Sequence, residues 1–86
     1  MNNRRANIQI IADILRMGEA GKTEIMYSAN MSYNQLAKYL NFLIEGGFLR
    51  KTIGRRIVVY RTTSKGRRLL QEIDRLVRLL EWEEEY

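Results

Sequence analysis

Apolar positions recur at helical spacing through the first half of the chain. Ile8, Ile11, Ala12 and Leu15 stand three or four residues apart, Ile10 and Ile14 widen the stripe, and the run stops at the glycines from Gly18 to Gly21. That pattern predicts a first amphipathic helix. In "KTEIMYSAN" Thr23 reads as a cap, Ile25, Met26 and Ala29 as an apolar side, and Asn30 as a stop, which predicts a short second helix. Ser32 followed by Gln35 matches the S/T-x-x-E/Q box that satisfies orphan amides at a helix start. Leu36, Leu40 and Leu43, with Ala37 and Ile44, then form a buried stripe, and Gly46-Gly47 offers a left-handed stop, so a third helix is expected from Tyr33 to Gly46. The link Asn30-Met31-Ser32 has the length of a helix-turn-helix connection, which puts "MSYNQLAKYLNFLIEGGFL" at the position of a recognition helix.

After Gly47 the period changes. "FLRKTI" and "IVVYRTT" flank "GRR", the pattern of a β-hairpin with Arg55 and Arg56 at its tip. Thr63 then caps a last helix, "SKGRRLLQEIDRLVRLLEW". The expected class is α+β, mainly α: a winged helix-turn-helix of three helices and a β-hairpin wing over residues 1–66, followed by a long C-terminal helix with an acidic tail over residues 67–86. Leu69, Ile73, Leu76 and Leu80 follow a 4-3-4 rhythm, a short coiled-coil seam. At ~1.5 Å per residue this helix would span about 28 Å, close to the width of so small a domain. Leu70 and Ile73 can cover the core, but Leu76, Val77, Leu79 and Leu80 would stay bare in a monomer. A homodimer through Leu69, Ile73, Leu76, Val77, Leu79 and Leu80 is therefore expected; the other reading is a helix that folds back and completes its own core. The tail "EWEEEY" places acids where the helix macrodipole disfavours them, so it either frays, finds arginines of an antiparallel second copy, or stays solvated.

Composition narrows the function classes. The 86 residues suit one small domain, and there is no cysteine and no histidine, which removes disulfides, thiolate metal sites and the commonest general base. No Gly-rich phosphate loop, nucleophile–base pair or metal-spaced ligand set occurs, so neither catalysis nor a cofactor, metal or small-molecule ligand is expected. With no apolar leader-like stretch and no run of membrane-spanning length, the expected place is the cytoplasm, in association with the nucleoid and not with a membrane. Net charge is +5, and it is segregated: residues 1–68 hold 13 Lys/Arg against 4 Asp/Glu, whereas residues 69–86 hold 2 against 6. The front of the chain thus suits a polyanionic partner.

Three runs, "KTEIMYSANMSYNQLAKYL", "LIEGGFL" and "TSKG" entering an apolar helix, resemble the small basic archaeal DNA-binding proteins of the Sulfolobus ten-kilodalton winged-helix type and related archaeal and viral winged-helix regulators. The likeness runs from about Ile8 to Leu80. It implies a winged helix-turn-helix whose final helix pairs with its mate as an antiparallel coiled coil, leaving two recognition helices for double-stranded DNA. Thr23, Ile25, Met26, Tyr27, Ala29, Asn30, Ser32, Tyr33, Tyr39 and Leu40 match the family's motif, most of them as structural positions. Thr62 departs from it, standing where the family prefers an apolar residue.

Within that frame Asn34, Gln35 and Lys38 are candidates for base edges, since amides can bond adenine bidentately and lysine can reach guanine or phosphate; an idle solvated face is the plainer reading. Asn41 lies farther along. Tyr33 either offers its hydroxyl to a phosphate or packs its ring on the first helix, and Tyr39 and Phe42 read as packing. Arg55 and Arg56, with Lys51 and Arg61 on the strands, suit phosphate or minor-groove contact. Lys22 and Ser32 stand at helix starts, where amides favour phosphate, and Arg4 and Arg5 resemble a basic arm ahead of the first helix. The function expected is that of a dimeric DNA-binding protein, a transcriptional regulator or a chromatin-type coating protein. The rival is a winged-helix interaction module that docks through its last helix.

Overall fold

The computed structural model describes residues 3–84, with side chains described over residues 7–81. The elements are α1 (Asn3–Arg16), β1 (Glu19–Gly21), α2 (Lys22–Ala29), α3 (Tyr33–Glu45), β2 (Leu49–Ile53), β3 (Val58–Thr62) and α4 (Ser64–Glu84). Three helices, a hairpin and a long closing helix are the order of a winged helix, as the periodicity indicates. One core joins them: Leu15, Ile25, Leu36 and Leu43 are sealed from solvent, and Ile14, Ala20, Leu40, Leu49 and Tyr60 surround them. These are the helical-stripe positions together with one inward residue from each strand.

The hairpin is part of a larger sheet. β1 joins it, and the antiparallel order is β1-β3-β2, with Ala20 opposite Tyr60 and Lys51 opposite Tyr60 on the other side. A three-residue strand is too short to carry a periodic signal, so the sequence offers only a helix end there. Thr62, the departure from the family pattern, explains much of the join. Its buried hydroxyl donates to the Leu15 carbonyl at 2.8 Å and its amide to the Gly18 carbonyl at 2.7 Å. The end of α1 has carbonyls without intrahelical partners, and here a polar residue in the sheet gives the Leu15 carbonyl a shorter donor beside the Gly18 amide at 3.3 Å.

Helix ends depart from expectation in local ways. α1 already includes residues 4 and 5, so Arg4 and Arg5 are in its first turn and do not form an arm ahead of it; their side chains lie outside the described residues. Thr23 is inside α2, whose preceding residue is Gly21; the Gly21 amide is held by the Glu24 carboxylate at 2.9 Å. Asn30 closes α2 in the left-handed region, φ 54°. Ser32 and Gln35 do form the capping box. α3 stops at Glu45, one residue early, and Gly47 (φ 82°), not Gly46, takes the left-handed turn. Thr63 caps α4: its hydroxyl accepts from the Gly66 amide at 3.0 Å and its carbonyl from the Arg67 amide. Gly66 is required there for space, because a Cβ would overlap the Phe48 carbonyl.

α4 lies along α1. Arg16 at the end of α1 grips Asp74 with both guanidinium nitrogens, at 3.1 and 3.0 Å. Leu69 and Leu70 pack on the core and Ile73 is buried, but the helix runs on for another eleven residues to Glu84. The radius of gyration, 13.7 Å, exceeds the about 12 Å expected of a compact chain of this length. With extents of 52 × 27 × 18 Å, the excess lies along one direction.

Candidate nucleic-acid interface

The start of α3 is built by its cap. The Ser32 hydroxyl accepts from the Gln35 amide at 3.3 Å, and the Gln35 side-chain oxygen accepts from the Ser32 amide at 3.4 Å. Both residues, candidates for DNA contact, thus already have a structural task; what Gln35 still presents outward is its amide nitrogen. Asn34 and Lys38 are exposed and make no hydrogen bond or ion pair among the described residues, and the same holds for Asn41 on that helix.

Tyr33 does not pack on α1. Its ring is about half exposed and lies beneath Lys22 of α2, whose ammonium sits 4.2 Å from the ring centre and donates to the phenol oxygen at 3.0 Å. The hydrogen bond from Lys22 holds the Tyr33 phenol below its ordinary pKa, and the same contact raises that of Lys22. The cation therefore stays charged at neutral pH and is fixed beside the first turn of α3. Tyr39 is the residue that reaches α1, donating from its hydroxyl to Asn7 Oδ1 at 2.6 Å. Phe42 is more exposed than a packing residue should be; it stacks against Phe48 at 6.4 Å between ring centres.

In the wing, the Gly54 amide donates to the Ile57 carbonyl at 2.7 Å, closing a turn with Arg55 and Arg56 at its centre. Both arginines are exposed. The pairing register divides the two strand cations. Lys51 shares the face of Leu49, Tyr60 and Thr62, the face turned to the helices, and lines a groove with Gly21, Lys22, Thr23, Ile57 and Val58. Arg61 is on the opposite face, opposite Arg50 and Glu19, and it pairs with the Glu19 carboxylate at 3.1 Å. Lys22 thus links Tyr33 at the start of α3 to the groove that holds Lys51 and Ile57 of the wing, while Arg61 is turned to the opposite face.

Two features of this surface have little sequence signal. Tyr27, which reads as a structural motif position, is 90% exposed. It lines an open depression with Thr23, Met26, Asn30, Met31, Ser32 and Gln35, where α2 meets the start of α3. Only the wide polar side of α2, which has a single buried residue, Ile25, could have shown this. The other feature is a pair of bare isoleucines in the wing, Ile53 and Ile57, 73% and 64% exposed. Among the described residues no cluster of acidic side chains could hold a metal ion, and no helix is long and apolar enough to cross a membrane.

Residues 4–81 match the winged helix-turn-helix family. Two uncharacterized proteins of Methanocaldococcus jannaschii are similar over 80 residues, 90% of this chain: MJ0290 at 39% identity and MJ0287 at 31%. The chain spans 36% of the length of MJ0290 and 78% of MJ0287. Among solved structures, Sso10a-2, a DNA-binding protein from Sulfolobus solfataricus, superposes with a TM-score of 0.80 at 30% identity, covering 86% of this chain and 80% of that one. The transcriptional repressor BigR from Xylella fastidiosa shares the fold at 20% identity, with a TM-score of 0.69 over 83% of this chain and 70% of its own.

Proposed function

The chain belongs to the winged helix-turn-helix family, and from that membership we propose that it is a homodimeric double-stranded DNA-binding protein of the nucleoid, acting as a transcriptional regulator or as a chromatin-type DNA-coating protein. The observation that supports the reading is the Lys22 ammonium held on Tyr33 at the start of α3, beside a groove it shares with Lys51 and with Ile57 of the wing. Asn34, Lys38 and the outward nitrogen of Gln35 enter the major groove and read base edges. Lys22, Ser32 and Tyr33 hold a phosphate at the helix start, and Lys51, Arg55 and Arg56 follow the backbone into the neighbouring groove. Arg61 keeps only a marginal part, because Glu19 neutralises it. The likeness to Sso10a-2, itself described as DNA-binding, supports the same assignment.

Dimerisation follows from the bare half of α4. Leu76, Leu79 and Leu80 are 44–55% exposed and form an apolar strip that a second copy covers; Val77, expected in the same seam, is instead half-buried beside Gln9, Ala12 and Asp13 of its own α1. Ile73 and most of Leu69 are already used within the protomer, so the seam starts later than the heptad rhythm suggests.

Fluorescence-anisotropy titration of a mixed-sequence duplex at several salt concentrations tests the reading. Binding should weaken linearly on a log-log plot, and R55A/R56A should reduce the slope by roughly 2 for each wing engaged, about 0.9 for each phosphate that an arginine no longer neutralises. Absence of binding at low salt would overturn the proposal and favour the docking module that the bare strip of α4 also suits.

A further inference from the structure

Ile53 and Ile57 stand on either side of the wing's arginines and are largely exposed. Such residues in a turn usually fold onto the strands beneath them, and these do not. Their placement is directional. Ile53 shares the register face of Lys51, and Ile57 lines the same groove as Lys51 and Lys22. Lys22 in turn touches Tyr33 at the start of α3. Both isoleucines therefore lie on the side of the wing that adjoins the start of α2, where Lys22 and the Glu24 carboxylate line the groove, and the turn between them carries two exposed guanidinium groups.

We propose that the wing tip is a minor-groove wedge, in which Arg55 and Arg56 draw the turn onto the phosphates and Ile53 or Ile57 enters between base steps, unstacking them and bending the duplex. The inference rests on the DNA-binding reading above. Charge complementarity selects the occupant: a protein surface receptive to two aliphatic side chains would also have to offer carboxylates to two adjacent arginines, whereas a narrow minor groove offers negative potential and, between its base steps, apolar base faces that admit a wedge. Insertion of aliphatic side chains with flanking cations is a recurrent way of kinking DNA. It converts a contact without sequence information into a preference for easily unstacked pyrimidine–purine steps.

Relaxation of a closed circular plasmid by topoisomerase in the presence of the protein reads such a distortion whatever the binding site. Wild-type protein at saturation should shift the linking number. I53S/I57S, in which two exposed side chains change, should keep its melting temperature and bind a linear duplex within about threefold of wild type while losing the shift. Retention of the shift by I53S/I57S, or binding by wild type without any shift, would overturn the wedge and leave the DNA-binding reading intact. Failure of wild type to bind the linear duplex would overturn both. Self-association without DNA that is lost in I53S/I57S would assign the isoleucines to a second copy instead and overturn the wedge.

Discussion

α3 and α4 have the same kind of sequence and different fates. Each carries an apolar stripe at three- and four-residue spacing with polar residues opposite. In α3 the stripe of Leu36, Leu40 and Leu43 is almost wholly covered, because α3 is no longer than the body it packs on. In α4 coverage falls away after Ile73 and the half-buried Val77, which lies beside Gln9, Ala12 and Asp13 of α1, and Leu76, Leu79 and Leu80 are left about half exposed. An amphipathic pattern thus specifies that a face needs a partner. The length and place of the helix in the fold decide whether that partner is the same molecule.

Four variants test the contrast, beginning with the largest effect. Leu43→Ala, at a fully buried position of α3, should cost about 2–5 kcal/mol of unfolding free energy. That is a large share of the roughly 5–15 kcal/mol typical of a domain; urea denaturation measures it, and a loss below about 1 kcal/mol would mean that α3 is not the keystone described. Changing Leu76 and Leu80 together to Ser should do the opposite. The dilute protomer keeps its melting temperature, while self-association seen by sedimentation weakens by roughly a hundredfold, from the loss of the two half-exposed leucines of each copy at about 0.75 kcal/mol per side chain. A drop in protomer stability with no change in association would show the strip folding back on its own chain.

Thr62→Val probes the join between α1 and the sheet. It leaves the buried Leu15 carbonyl without its hydroxyl donor and should cost about 1–2 kcal/mol, visible as a lower midpoint in thermal melts. The smallest effect belongs to Asp74→Asn, which loosens the hold of α1 on α4. The Arg16 guanidinium keeps the Asp74 carboxyl below its ordinary pKa. Its stabilising contribution is therefore present above the unfolded-state value near 3.8 and is lost as pH falls through the lower folded value. Both groups are partly exposed, so the contribution is well under about 1 kcal/mol. Melts of wild type and variant should differ slightly at neutral pH in low salt, and should converge once the pH lies below the folded value, where the carboxyl is neutral in both folded and unfolded chains. A gap that persists at acid pH would count against the ion pair.

Local signals were strong where a residue acts through its immediate neighbours. The Ser32–Gln35 box, the left-handed Asn30, the Thr63 cap and the stripe of α3 are all short-range features, and each stands where the sequence reading puts it. The interface was legible in type and less so in membership. Asn34, Lys38, Arg55 and Arg56 are exposed as expected, but Tyr27 and the wing isoleucines, which a sequence ranks with packing residues, are exposed too. Hydrophobicity gives the cost of exposing a side chain, not whether the fold supplies a cover.

By itself, then, the chain determined its helices, its hairpin and its basic front, because helix caps, apolar periods and charge are properties of residues close in sequence. Tertiary structure alone decided the rest. It recruited β1 through pairing with the distant β3, turned Lys51 and Arg61 to opposite faces through strand register, and laid Lys22 over Tyr33 where two helix starts meet. It also covered Ile73 and part of Val77 with α1 and left Leu76, Leu79 and Leu80 about half exposed. Each of these depends on distances between segments far apart in the chain, and such distances are set only when the core closes.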